Sequence, residues 1–243
     1  MAAPTRRRRT TAVAIFVKTP GLSPVKTRLA RGIGSALATE FHCRAAAAVG
    51  AVARAAAPDV APHWAVAEQD ALAHPAWSAF PTLWQGEGDL GTRLDRVYSE
   101  LLERHGSVLL IGADAPQVTP VLLRNAARAL LEGVPSYAMD PASDGGFWLF
   151  GGRAPVPSEV WHSVAYSQAD TGARLAEALR RFGQISWVPA LIDTDEASDL
   201  PELASALRCL RHPLPEQASL GDWLRTVCPE PAFPELAQET SCR

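Results

Sequence analysis

Three cations, Lys18, Lys26 and Arg28, share one short stretch with Pro20, Gly21 and Pro24. Prolines hold such a stretch to few shapes. Fixed cations just ahead of a helix suit a polyphosphate, because backbone N–H groups and the helix N-terminus add to the attraction. The alternative, a solvated basic loop, is weakened by that restraint. The stretch is neither a P-loop nor a dinucleotide fingerprint, since it has neither Gly-x-x-x-x-Gly-Lys-Ser/Thr nor Gly-x-Gly-x-x-Gly. Asp114 is the second candidate. It stands two residues past Gly112, which ends the apolar run Val108 to Ile111, and Pro116 follows. Ligands of open α/β sheets bind at the carboxyl ends of strands. Asp114 therefore either shapes a turn or binds a ligand there. A hard divalent cation such as Mg²⁺ or Mn²⁺ uses one or two carboxylates, with substrate phosphates and water completing its shell. One Asp facing three cations across a phosphate-sized gap is such an arrangement. Asp144, before Gly145 and Gly146, is the third. It either accepts a hydroxyl proton or holds a tight turn. Asp193 or Asp195 supplies a second metal ligand if the strand before it ends beside the central one.

Elements that would position these residues follow from the apolar pattern. Ala12–Val17 and Val108–Ile111 are unbroken apolar runs, expected as strands buried on both faces. His63–Ala67, Pro81–Trp84, Ser136–Met139, Phe147–Phe150 and Ile185–Leu191 complete the strand set. A helix is expected from Gly34-Ser35, with Leu37, Phe41, Ala45, Ala48 and Val52 on one face and Pro58 at its end. Further helices carry Leu94, Val97 and Leu101; Leu123, Ala127 and Leu130; Leu175, Leu179 and Phe182; and Leu200, Leu203, Leu207 and Leu210. Thr119-Pro120 is an N-cap followed by proline at the first helical position. Ser167 to Asp170 fits a capping box, Asp199 a helix cap, and Pro155–Ser163 an irregular segment. Strands alternating with helices imply a three-layer α/β/α domain with a mostly parallel, mixed sheet and helices on both faces. Its expected extent is 12–212, after a basic leader at 1–11. A loosely packed proline-rich tail is expected at 213–243, with a short helix around Leu220–Val227.

The 243 residues are 47% hydrophobic and 20% charged, enough for one sizeable core. A net charge of -3 argues against a general nucleic-acid binder, despite the Arg6–Arg9 run. No apolar stretch reaches membrane-spanning length and no signal peptide is evident, so no membrane partner and a cytoplasmic location are expected. The four cysteines lack metal-ligand spacing, and Cys43 and Cys209 fall in helical patterns as buried free thiols.

Taken in order, the motifs resemble a bacterial family of glycosyltransferase-A-like proteins, members of the nucleotide-diphospho-sugar transferase superfamily. The family is named for its association with radical-SAM or selenoprotein-like domains, or for arsenosugar biosynthesis. Val17-Lys-Thr-Pro-Gly-Leu-Ser-Pro-Val-Lys-Thr-Arg-Leu29 resembles its opening. Gln85-Gly-Glu-Gly-Asp-Leu-Gly91 resembles its Gln-x-Gly-x-Asp-Leu-Gly, and Gly112-Ala-Asp-Ala-Pro116 its Gly-x-Asp-x-Pro. Pro141 to Gly151 resembles Pro-Ala-x-Asp-Gly-Gly-Tyr-x-Leu-x-Gly, with Phe147 for Tyr. Tyr166-Ser167 stands for Trp-Ser, and Asp193 to Leu200 resembles Asp-x-Asp-Thr-x-x-Asp-Leu. Asp140 before Pro141 departs from the pattern and is expected to alter local charge. The resemblance implies a GT-A-like fold and a metal-dependent glycosyltransferase using a nucleotide-diphospho-sugar donor and a small-molecule acceptor. On it, Asp114 is the metal ligand, and Lys18, Lys26 and Arg28, with Gly112, meet the nucleotide phosphates. Asp144 is the catalytic carboxylate, and Gly145, Gly146, Tyr166 and Ser167 face the substrate. The same fold serves nucleotidyltransferases, including guanylyltransferases that transfer NMP from an NTP to a phosphorylated small molecule. A non-catalytic nucleotide-binding module is the third reading.

Overall fold

The computed structural model describes residues 10–140, 145–168 and 170–228. Seven strands form one sheet: β1 (Thr11–Val17), β2 (Val60–Val66), β3 (Thr82–Trp84), β4 (Val108–Gly112), β5 (Tyr137–Met139), β6 (Leu149–Gly152) and β7 (Ile185–Trp187). Their spatial order is β3-β2-β1-β4-β6-β5-β7. β6 runs antiparallel to β4 and β5, and every other pairing is parallel. This is the single-domain, mostly parallel mixed α/β sheet expected from the alternation of strands and helices.

Helices α1 (Thr27–Ile33), α2 (Ser35–Ala55), α3 (Leu90–His105), α4 (Pro120–Glu132), α5 (Ser158–His162), α6 (Thr171–Leu179), α7 (Leu200–Arg208) and α8 (Pro215–Val227) surround the sheet. On one face, Val13, Ile15, Leu109 and Ile111 meet Val49 and Val52 of α2 and Leu123 and Leu130 of α4. On the other, Ala12, Ala14, Val108 and Leu110 meet Val97 and Leu101 of α3, Trp161 of α5 and Leu175 of α6. β1 and β4 are thus covered on both sides, which is why their sequences are apolar without alternation. A smaller cluster joins α2, α7 and α8 through Phe41, Leu203, Leu220 and Trp223.

Several elements differ from the sequence expectation, each for a local reason. β6 begins two residues later than expected and runs through Gly151 and Gly152. A Cβ at Gly151 would stand 2.4 Å from Leu109 Cδ2, and one at Gly152 2.1 Å from Tyr98 Oη, so close packing demands glycine where the sequence suggested a break. The expected loop 18–29 turns helical at Thr27, and α1 precedes the anticipated helix. Pro155–Ser163 contains α5, a single turn too short to show periodicity. The Ser167 capping box does not form: Ser167 has φ 60°, and the Thr171 hydroxyl, not Ser167, accepts from Gln168 N. Phe182 lies beyond α6 and is exposed. Asp199 turns its carboxylate back to the N–H groups of Asp195 and Glu196 and makes no side-chain cap to α7. β7 is shorter than expected and stops before Pro189. It lies at the sheet edge with β5 and β6 between it and β4, so the strand before Asp193 does not end beside the central one, and only the segment after it returns to the Asp114 turn. The helix expected around Leu220–Val227 is α8, but it starts earlier, with Pro215 in its first turn, and it is packed rather than loose, with Leu220 and Leu224 fully buried. Cys43 is exposed on α2, and Cys209 is half-buried and disulfide-bonded rather than free. Among the described residues no helix is long and apolar enough to cross a membrane.

Candidate active site

The carboxyl ends of β1 and β4, side by side in the sheet, deliver the two loops that matter most. Beyond β1, the chain tightens at Thr19, whose carbonyl accepts from Leu22 and Ser23 N–H. Glu68, just past β2, holds this turn. Its Oε2 accepts from Thr19 N at 2.9 Å. Trp77 Nε1 donates to Thr19 Oγ1 at 3.0 Å. Lys26 follows with φ 47° and ψ 48°, a left-handed conformation uncommon for a residue with a Cβ. Beyond β4, the Asp114 carbonyl accepts from Thr194 N at 3.0 Å, and Gln117 Nε2 donates to Ile192 O at 2.8 Å. Gln217 of α8 donates to the carbonyls of Pro116 and Val118. The Asp114 turn is therefore bonded both to the 192–194 segment and to α8.

These loops converge on Lys26. Its Nζ lies 3.0 Å from Asp114 Oδ1 and 3.1 Å from Asp195 Oδ1, and it donates to Thr194 O. Its side chain is 5% exposed, against 36% for Asp114 and 45% for Asp195. Arg28 reaches the other oxygen of Asp195 at 3.1 Å. Burial pulls the Lys26 ammonium toward neutrality, but the charges of Asp114, Asp195 and Asp193 outweigh it, and its pKa stands above the ordinary lysine value. The sequence expectation of a cationic loop facing Asp114 is met in position but not in spacing: Lys26 touches Asp114 directly instead of standing across a phosphate-sized gap.

Two connected lobes open around this cluster. The polar lobe, about 450 Å³, is lined by Lys18, Lys26, Arg28, His42, Gln85 and Arg93. The second, about 460 Å³, has an apolar wall of Phe16, Leu94, Leu110, Phe147 and Tyr166. Phe16, Arg28, Leu90, Asp114, Ser167 and Asp195 line both. Gly112, Gly146 and Asp193 face the apolar lobe. Gly145 is buried with φ 93°, and its carbonyl accepts from Gly172 N at the start of α6. Tyr166 donates its hydroxyl to Trp161 O at 3.1 Å, and burial raises its pKa. Asp144 lies outside the described residues. Asp140 is buried, and its Oδ1 accepts from Trp148 N at 3.1 Å, so the residue expected to alter local charge tethers the start of β6.

The motif Gln85–Gly91 acquires a physical meaning here. Gln85 Nε2 donates to Val17 O and Ala65 O, tying the ends of β1 and β2. Gly86 and Gly88 have φ 89° and 94°, and Asp89 caps α3 by accepting from Thr92 N at 2.9 Å. Gly91 sits where a Cβ would be 2.8 Å from both Trp161 O and Tyr166 Cε2. Arg93 and His42 escaped the sequence reading. Arg93, one turn into α3, donates Nε to Gly88 O and adds a cation to the polar lobe. His42 Nε2 pairs with Lys18 O at 2.8 Å, and burial lowers its pKa. A cation placed four residues after a helix-capping Asp was the available signal for Arg93. His42, inside a long helix, offered none.

Among the described residues no group of three His, Cys, Asp or Glu side chains is placed to cage a metal ion. Asp114 and Asp193 nevertheless line one lobe. Two hard oxygen donors next to a cationic lobe fit Mg²⁺ or Mn²⁺ held partly by substrate phosphates, and do not fit an all-protein cage.

The Glu68 carboxylate is partly desolvated, yet the donors beside it, Ser23 and Thr19, outweigh that and hold its pKa below the usual 4.5. A depressed folded pKa means its stabilisation is present above pH 4.5 and is lost as pH falls through the folded value. Glu68→Gln is expected to lower stability by about 1 kcal/mol at pH 7, since water screens a half-buried carboxylate. Thermal unfolding from pH 7 to pH 3 checks this: the gap between variant and wild type should close on acidification, and a constant gap refutes it.

Residues 44–168 match a family described as uncharacterized protein conserved in bacteria, DUF2064. None of the curated proteins matches the chain. A crystal structure from Desulfovibrio desulfuricans G20, provisionally named a nucleotide-diphospho-sugar transferase, shares 23% identity and a TM-score of 0.78 over 89% of this chain and 96% of that one. A nucleotidyl transferase from Methanothermobacter thermautotrophicus shares 13% identity and a TM-score of 0.55, over 83% and 99%. A cytidylyltransferase from Leptospira borgpetersenii shares 9% and 0.54, over 93% and 99%. At these identities the likeness establishes a common fold.

Proposed function

The chain belongs to the DUF2064 family of bacterial proteins, uncharacterized by its own description, and from that premise we propose that its cleft makes it a metal-dependent, nucleotide-using transferase. One observation carries the proposal: three cations and Asp114 meet at the carboxyl ends of β1 and β4, beside a lobe with an apolar wall. The reading is glycosyl transfer from a nucleotide-diphospho-sugar to a small-molecule acceptor, the activity implied by the resemblance to the radical-SAM- and selenodomain-associated transferase type. Lys18, Lys26 and Arg28 hold the diphosphate in the polar lobe, with the Gly112 backbone meeting it from the adjoining lobe, and preorganised cations favour the charge that grows as the diphosphate departs. Asp114 with Asp193 holds Mg²⁺ or Mn²⁺, which supplies further neutralisation of that charge. Gly145, Gly146, Tyr166 and Ser167 bound the sugar and acceptor, and Asp144 takes the acceptor's hydroxyl proton.

A second reading, NMP transfer from an NTP with pyrophosphate leaving, draws support from the two nucleotidyl- and cytidylyltransferases that share the fold. Incubation with UDP- and GDP-sugars, GTP and CTP, with and without Mn²⁺, followed by product analysis, separates the readings. Release of a nucleoside diphosphate with transfer of the sugar is the expected result. Pyrophosphate release supports the second reading, and nucleotide binding without turnover supports a non-catalytic module. Absence of all nucleotide binding overturns both transfer reactions.

A further inference from the structure

The Lys26 ammonium lies where a cation belonging to the acidic groups would be held. It bonds Asp114 at 3.0 Å, Asp195 at 3.1 Å and the Thr194 carbonyl, and Asp193 adds its charge nearby. The backbone bond from Thr194 N to Asp114 O keeps the two acidic segments together whatever their side chains do. Without Lys26 the carboxylates would face each other across a partly desolvated space, where like charges repel strongly. A divalent ion arriving alone must displace an ammonium that is already paired and almost fully buried, and must strand that charge away from water. Phosphate oxygens in the polar lobe offer the ammonium another set of acceptors, because Lys26 lines that lobe together with Lys18, Arg28 and Arg93.

We infer that Lys26 is a resident counter-cation that closes the Asp114 carboxylate to free divalent metal, so that the metal binds tightly only with a phosphate-bearing ligand that draws Lys26 off. The inference rests on the proposed nucleotide site and adds an order of binding to it. Lys26 makes this contact from a left-handed backbone position at the start of α1, with its side chain 5% exposed.

The test uses Mn²⁺ alone, with the full chain and no nucleotide, so it stands even if the proposed substrate class is wrong. Calorimetry and the paramagnetic signal of free Mn²⁺ report binding to wild type, Lys26→Met and Lys26→Arg. Lys26→Met should bind Mn²⁺ on the order of tenfold more tightly than wild type, because a competing positive charge is gone. Lys26→Arg should stay near wild type. Equal affinity of wild type and Lys26→Met overturns the inference. If Lys26→Met does not fold, Asp114→Asn in the wild-type background decides: it should leave binding of Mn²⁺ alone unchanged, and a clear weakening shows that Asp114 is already open to free metal.

Discussion

Asp114→Asn is expected to lower turnover by about 10²–10³-fold, the usual cost of removing one preorganised charge from a transfer site. The substitution is nearly isosteric. The turn depends on bonds that its carbonyls accept from Thr194 N and from the Gln217 side-chain amide, which asparagine leaves in place. Lys26 keeps Asp195 and the Thr194 carbonyl as partners. Folding should therefore survive while catalysis does not. Steady-state rates with the nucleotide that the product analysis identifies, together with an unfolding curve, check both halves. A variant with wild-type rates removes Asp114 from the chemistry, and one that unfolds makes the residue structural.

The second large effect lies in the core behind the site. Trp161→Ala is expected to cost about 3–5 kcal/mol and to lower the unfolding midpoint by roughly 6–20 °C for a chain of this size. Trp161 is fully buried, edge-on to Phe150 at 5.0 Å and tilted against Tyr98 at 5.7 Å. Its indole N–H has no acceptor among the described residues, so the ring serves by packing. Trp161→Phe should cost far less, because it keeps the aromatic contacts and removes that donor. The damage from alanine should also reach the cleft, since the Trp161 carbonyl holds Tyr166 and abuts Gly91 at the start of α3. Denaturant unfolding measures the first effect. A loss for Trp161→Ala under 1 kcal/mol would contradict this account of the core.

How much of this was legible depended on the range of the physics involved. β1 and β4 were readable because burial on both faces leaves an unbroken apolar run, a signal contained within each strand. Thr119-Pro120 opened α4 as read, with Thr119 Oγ1 accepting from Leu122 N at 3.2 Å, because a cap is local too. The loops that gather at the cleft were legible as an ordered set of motifs. The contact of Lys26 with Asp114 and Asp195 was not, because it joins residues far apart in sequence and depends on where three loops pass. Gly151 and Gly152 misled for a related reason: glycine also marks a break, and only the positions of Leu109 and Tyr98 show that here it permits close approach. Pro215 suggested a loose tail but stands in the first turn of α8, the one place where a helix tolerates proline at no loss of a hydrogen bond.

The central claim is that Asp114 and the cations beside it form one metal-assisted diphosphate site. Calorimetric titration of UDP and of GDP into wild type and Asp114→Asn, each with and without Mn²⁺, tests it most directly. At least one diphosphate should bind wild type on the order of tenfold or more tightly with the metal, and that gain should vanish in Asp114→Asn. Binding that ignores the metal, or a metal-dependent gain that survives in the variant, would contradict the claim.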